Sequence, residues 1–74
     1  MTAKLPVVSA KEVIKALAKI GYVYARQRGS HIILVNRETR KIAVVPNDAE
    51  IPKGTLRAII VESGLTVDQF VDLL

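Results

Sequence analysis

Between Tyr22 and Val45 the apolar residues abandon helical spacing, and two turn signals cut the stretch into runs of strand length. The turns are Gly29-Ser30 and Asn36-Arg37-Glu38-Thr39, and the runs are Tyr22 to Arg28, His31 to Asn36 and Arg40 to Val45. Connections this short join antiparallel neighbours, because a parallel crossover needs a dozen or more residues. The spacing therefore predicts a three-stranded meander. In its first run, strict alternation puts Tyr22, Tyr24, Arg26 and Arg28 on one face and Val23, Ala25 and Gln27 on the other. The second run, His31-Ile32-Ile33-Leu34-Val35, is apolar on both faces after its first residue and reads as a buried middle strand.

Helical signals flank the meander. Ser9-Ala10-Lys11-Glu12 has the form of a capping box, and Gly21 supplies a stop. Between them Val13, Ile14, Leu17, Ala18 and Ile20 recur at spacings of three and four and predict one apolar stripe. Lys11, Lys15 and Lys19 fall together on another side, as an ordinary solvated face rather than a phosphate-facing edge. After the third run, Pro46 to Pro52 is a loop by its two prolines and its Asn-Asp pair. A second helix starts at Pro52 or shortly after and carries Leu56, Ile59, Ile60 and Val61 to a stop at Gly64. Thr66-Val67-Asp68-Gln69 repeats the capping-box pattern and opens a last short helix, with Val67, Phe70, Val71 and Leu74 as core contacts. The expected architecture is α+β: helix, three-stranded antiparallel sheet, helix and a short C-terminal helix, with the helices on one sheet face.

Seventy-four residues make one domain, residues 1–74, and so short a chain needs a dense core to be stable. Half of the residues are apolar, which meets that need. The absence of cysteine removes disulfides, thiolate metal sites and cysteine nucleophiles. No span approaches the ~20 apolar residues of a membrane-crossing helix, and Met1 to Val8 holds no signal-peptide stretch, so the expected location is cytoplasmic, with no membrane partner. A net charge of +4 favours an anionic partner such as nucleic acid.

Chemistry near neutral pH has one obvious bearer, because His31 is the sole histidine. One histidine without cysteine cannot build a structural zinc site, and no metalloprotease, nucleophile-elbow or phosphate-loop pattern is present. Metal-free acid–base work by His31 is the chemistry left, with no cofactor. Arg26 and Arg28 lie just before it, and Lys41, Lys53 and Arg57 are expected near it through the meander and the second helix, as contacts to RNA phosphates. Ser30 reads as a further RNA contact that orients the turn or His31, since no second base is available to activate it as a nucleophile. Tyr22 and Tyr24 read as half-buried sheet packing rather than base-stacking groups. On residues alone, a polar strand-start histidine among solubilising charges is the simpler account.

A wider pattern adds weight. Leu5-Pro6, Ser9 to Leu17, Gly21-Tyr22, Arg26-Gln27-Arg28-Gly29-Ser30-His31, Val44-Val45-Pro46, Pro52-Lys53-Gly54-Thr55-Leu56-Arg57 and Gly64-Leu65-Thr66-Val67-Asp68-Gln69-Phe70, in this order, resemble the HicA toxin family. The Gly-Ser-His turn and the Gly-Thr-Leu-Arg helix start are the most specific pieces. The resemblance implies a double-stranded-RNA-binding-like fold and cleavage of mRNA by His31. It also implies inhibition by a HicB-type antitoxin, as in type II toxin–antitoxin systems. Many members carry another histidine in the loop after the third strand, where this chain has Pro46-Asn47-Asp48-Ala49. The alternatives are a double-stranded-RNA-binding-like module that does not cut, and a basic protein-interaction domain.

Overall fold

The computed structural model describes residues 4–74; Met1, Thr2 and Ala3, part of the amino-terminal stretch considered above, lie outside the described residues. Its elements are α1 (Ala10–Ala18), β1 (Tyr22–Arg28), β2 (His31–Asn36), β3 (Ile42–Pro46), α2 (Lys53–Glu62) and α3 (Val67–Leu73). The sheet runs β1-β2-β3 with both pairs antiparallel, so the α+β meander and its flanking helices are as the periodicity predicts.

Local chemistry fixes the ends. At α1 the Glu12 N–H donates to Ser9 Oγ at 3.2 Å and the Ser9 N–H donates to Glu12 Oε1 at 3.0 Å. Thr66 and Gln69 close the equivalent box at α3, and each such cap is worth about 1 kcal/mol. Gly21 follows α1 with φ of +103°, and a Cβ there would meet Asn36 Oδ1 at 3.3 Å, so both backbone and neighbour call for glycine. The lysine row is solvated as expected, and Lys19 reaches across to donate to the Leu73 carbonyl at 2.7 Å, where a cation complements the end of α3.

All three helices contribute to one core with Ile32 and Leu34 of β2 and Ala43 and Val45 of β3. Phe70, Leu17 and Leu56 are fully enclosed in it. The stripe of α1 is rotated from the expectation: Ala10 and Ala16 are buried with Val13 and Leu17, while Ala18 is exposed. Leu74 is also exposed rather than core; Leu73, not Leu74, packs at the end of α3.

The opposite sheet face has no helix on it. β2 is central, but only Ile32, Leu34 and Asn36 are buried, whereas Ile33 and Val35 are half-buried. The expected burial on both faces does not hold, because every helix lies on the same side. β3 alternates in step, with Ala43 and Val45 buried and Ile42 and Val44 exposed. It begins two residues later than expected, since Arg40 adopts φ of +66° and belongs to the turn. Asn36 organises that turn. Its Oδ1 accepts from the Glu38 and Thr39 N–H groups at 2.9 and 3.0 Å, and its Nδ2 donates to the Ile20 carbonyl at 2.9 Å.

One irregularity decides where the arginines point. β1 supplies seven residues between Tyr22, paired with Asn36, and Arg28, paired with His31, whereas β2 supplies six. One residue must bulge, and the register places Ala25 between Tyr24, opposite Leu34, and Arg26, opposite Ile33. Directly paired residues project from the same sheet face. Arg26 and Arg28 therefore stand with Val23 on the helix-free face, against the strict alternation that grouped them with Tyr22 and Tyr24. Tyr22 is buried, but Tyr24 is 61% exposed, so half-buried packing describes neither tyrosine.

Candidate functional site

His31 is the first residue of β2, reached through a two-residue turn. Gly29 has φ of +58° and Ser30 does not take a positive φ, the sign pattern of a type II′ hairpin in which glycine fills the first central position. That turn matches the right-handed twist of the strands, which is why Gly-Ser serves here. Both of its carbonyls are held. Gln27 Nε2 donates to the Gly29 carbonyl at 3.0 Å, and the Asn47 N–H donates to the Ser30 carbonyl at 2.7 Å. The loop after β3 is thereby fastened to the turn before His31. The same loop continues to Asp48, whose carbonyl accepts the Ala10 N–H at 3.0 Å, so the turn, the loop and the start of α1 form one connected frame.

On this frame His31 is exposed and flanked by Arg28 on β1 and Pro46 on β3, its direct partners in the two ladders. Arg26 lies on the same face, opposite Ile33. The structure thus brings Arg26, Arg28, Ser30 and His31 together at one end of the sheet. No carboxylate occurs in any of the three strands, so the strand residues around His31 are cationic or neutral. Among the described residues no group of three His, Cys, Asp or Glu side chains is placed to hold a metal ion.

The other sequence-selected cations lie elsewhere. Lys41 precedes β3 at the end remote from Pro46, about 16 Å along the strand at ~3.3 Å per residue, with its Nζ beside Gly64 on the helix-bearing side. Lys53 and Arg57 are exposed, one helical turn apart on α2, which packs against the opposite sheet face from His31. They are a second cationic element rather than walls of the same site. Gln27 and Asn47, which hold the turn, escape sequence reasoning: Gln27 acts through a local side-chain bond that many residues could make, and Asn47 through its backbone N–H, and neither leaves a periodic signature.

A shallow concavity of about 140 Å³ lies between α1 and the end of α3, lined by residues including Lys15, Lys19 and Leu73, and is separate from His31. An exposed histidine with flanking cations suits a polymer laid across a surface, which needs no enclosed cavity. Among the described residues no helix is long and apolar enough to cross a membrane.

No curated relative matches the chain. The family described as HicA toxin of bacterial toxin–antitoxin systems matches residues 10–65, a span from the first residue of α1 past Gly64 that includes the Gly29-Ser30-His31 turn and all three strands. The chain belongs to the HicA toxin family, and its role is that of the toxin in a toxin–antitoxin pair.

Proposed function

We propose that this toxin is a metal-independent endoribonuclease that cleaves mRNA in the cytoplasm with His31 as general base. The imidazole takes the proton of a ribose 2′-hydroxyl, whose oxygen attacks the adjacent phosphorus. The bond from phosphorus to the 5′-oxygen breaks, and that oxygen takes a proton from solvent. The products are a 2′,3′-cyclic phosphate and a free 5′-hydroxyl. A positioned base contributes about 10²- to 10⁴-fold in rate. Arg28 and Arg26 bear on the phosphate, where cations stabilise the charge that develops on its oxygens.

The observation that carries this reading is the direct cross-strand pairing of Arg28 with His31 on an open face, at a turn whose two carbonyls are both hydrogen-bonded. A base must be held still, and a strand start beside a two-residue turn does so. Ser30 completes that turn through its backbone carbonyl, and its exposed hydroxyl is free to contact the RNA. Lys53, Arg57 and Lys41 add phosphate contacts farther along the RNA, outside the reacting linkage. A HicB-type antitoxin is the partner that silences the enzyme by covering His31.

The test compares wild type with His31→Ala on a long single-stranded RNA. Loss of cleavage with RNA affinity retained supports the assignment, because the arginines remain. Equal cleavage by both proteins contradicts it, and binding without cleavage by either makes the domain a non-catalytic RNA-binding module.

A further inference from the structure

Most of the residues that project from the helix-free sheet face are apolar. Beyond Arg26, Arg28 and His31 it presents Val23, Ile33, Val35, Ile42 and Val44, with Ile42 59% and Val44 44% exposed. Contiguous apolar surface of this kind on a small soluble chain marks an interaction site. The pairings make it continuous: Val23 is opposite Val35, Val35 is opposite Ile42, and Ile33 is opposite Val44.

Three occupants can be weighed against its chemistry. RNA recognition on a sheet uses aromatic rings to stack bases. The strip has none, since Tyr22 and Tyr24 pair with Asn36 and Leu34 on the helix-bearing side and the His31 imidazole stands beyond its margin. A second copy laid face to face would bring two arginines from each chain into one interface with no strand carboxylate to meet them, at a cost in repulsion. A protein with an apolar centre and acidic groups at one margin satisfies both parts.

We propose that the antitoxin docks on this face, with apolar side chains on the strip of Val23, Ile33, Val35, Ile42 and Val44 and carboxylates on Arg26 and Arg28. The inference rests on the reading of the chain as a toxin silenced by a protein partner, and it adds a division of labour. The strip supplies partner affinity and is dispensable for cleavage, whereas the Arg28 and His31 corner serves both RNA and partner. One surface then accounts for mutual exclusion, because a partner seated on the strip lies over His31.

The experiment uses Val44→Lys and Ile42→Lys. Both positions are exposed and the new side chains keep or raise the positive charge, so attraction to acidic groups or to phosphate is not reduced. The probe is the protein encoded by the reading frame adjacent to the toxin gene, titrated against wild type and each variant after circular dichroism shows the variants folded. Affinity for that protein is expected to fall tenfold or more in both variants, with RNA cleavage unchanged. Unchanged affinity overturns the docking, as does failure of the wild type to bind the probe. Parallel loss of cleavage and of partner binding also overturns it, by assigning the strip to RNA. If the wild type binds the probe through the strip but cuts no RNA, the ribonuclease reading fails while the docking stands. A second measurement avoids substitutions: in the wild-type complex, the methyl groups of these five residues are expected to show NMR contacts to the partner, and contacts confined to α1 and α2 overturn the proposal.

Discussion

Arg28 and His31 are direct cross-strand partners, separated by the two-residue Gly29-Ser30 turn and projecting from the one sheet face that carries no helix. Neither residue type is unusual in a small basic protein. Their pairing gives each a fixed neighbour of useful chemistry, a cation beside a base, on a surface open to a polymer. The bulge at Ala25 absorbs the extra residue of β1, since seven residues in an unbulged register could not keep both the two-residue turn and the burial of Tyr22.

Arg28→Ala is expected to weaken RNA binding and to reduce the slope of log affinity against log salt by about one, the signature of one lost phosphate contact. Anisotropy titrations at several salt concentrations measure it, with both proteins in a His31→Ala background to prevent cleavage. An unchanged slope would remove Arg28 from the RNA contact.

Gly29→Ala tests the turn. Nothing lies within 4 Å of a Cβ built at Gly29, so the cost comes from the backbone alone, about 1–2 kcal/mol for a non-glycine residue held at positive φ. Urea denaturation should show that loss, whereas Ser30→Ala, which removes no turn hydrogen bond, should lie within about 0.5 kcal/mol of wild type.

Asn36→Asp keeps an oxygen where the Glu38 and Thr39 N–H groups donate but removes the donor to the Ile20 carbonyl. A buried carboxylate oxygen facing a carbonyl is left uncompensated, and the expected loss of stability is about 1–3 kcal/mol. Thermal or urea unfolding checks it, and cleavage below the transition should persist, because Asn36 lies at the far end of β2 from His31.

Deletion of Ala25 is expected to leave Arg28 opposite His31, since the register on either side of the bulge already pairs Tyr24 with Leu34 and Arg26 with Ile33. Cross-strand NMR contacts should keep that register, and cleavage should survive. A register slip of one residue would instead turn every side chain beyond Tyr24 to the other face.

Much of this was legible in the residues. Ser9 with Glu12 and Thr66 with Gln69 announced two helix starts, and Gly29-Ser30 with Asn36 to Thr39 announced the meander, because capping and turn chemistry are local. The faces of β1 are not legible from alternation, because a seven-residue run beside a six-residue one can either bulge or leave its end unpaired, and only the pairing of Tyr22 with Asn36 shows the bulge. The open face of β2 is hidden for a different reason: Ile33 and Val35 look like core until the side taken by all three helices is known. His31 with Arg26 and Arg28 was found from proximity in sequence. Charge alone groups Lys41, Lys53 and Arg57 with them, and only the register and the helix-bearing side separate them.

The central claim is tested most directly by the ends of the RNA that the protein cuts. Purified wild type is incubated with a long single-stranded RNA in EDTA and the termini are identified, with His31→Ala alongside. The account predicts 2′,3′-cyclic phosphates and 5′-hydroxyls from the wild type and no cleavage by the variant. Products bearing 5′-phosphates, or cleavage that stops in EDTA, would contradict it.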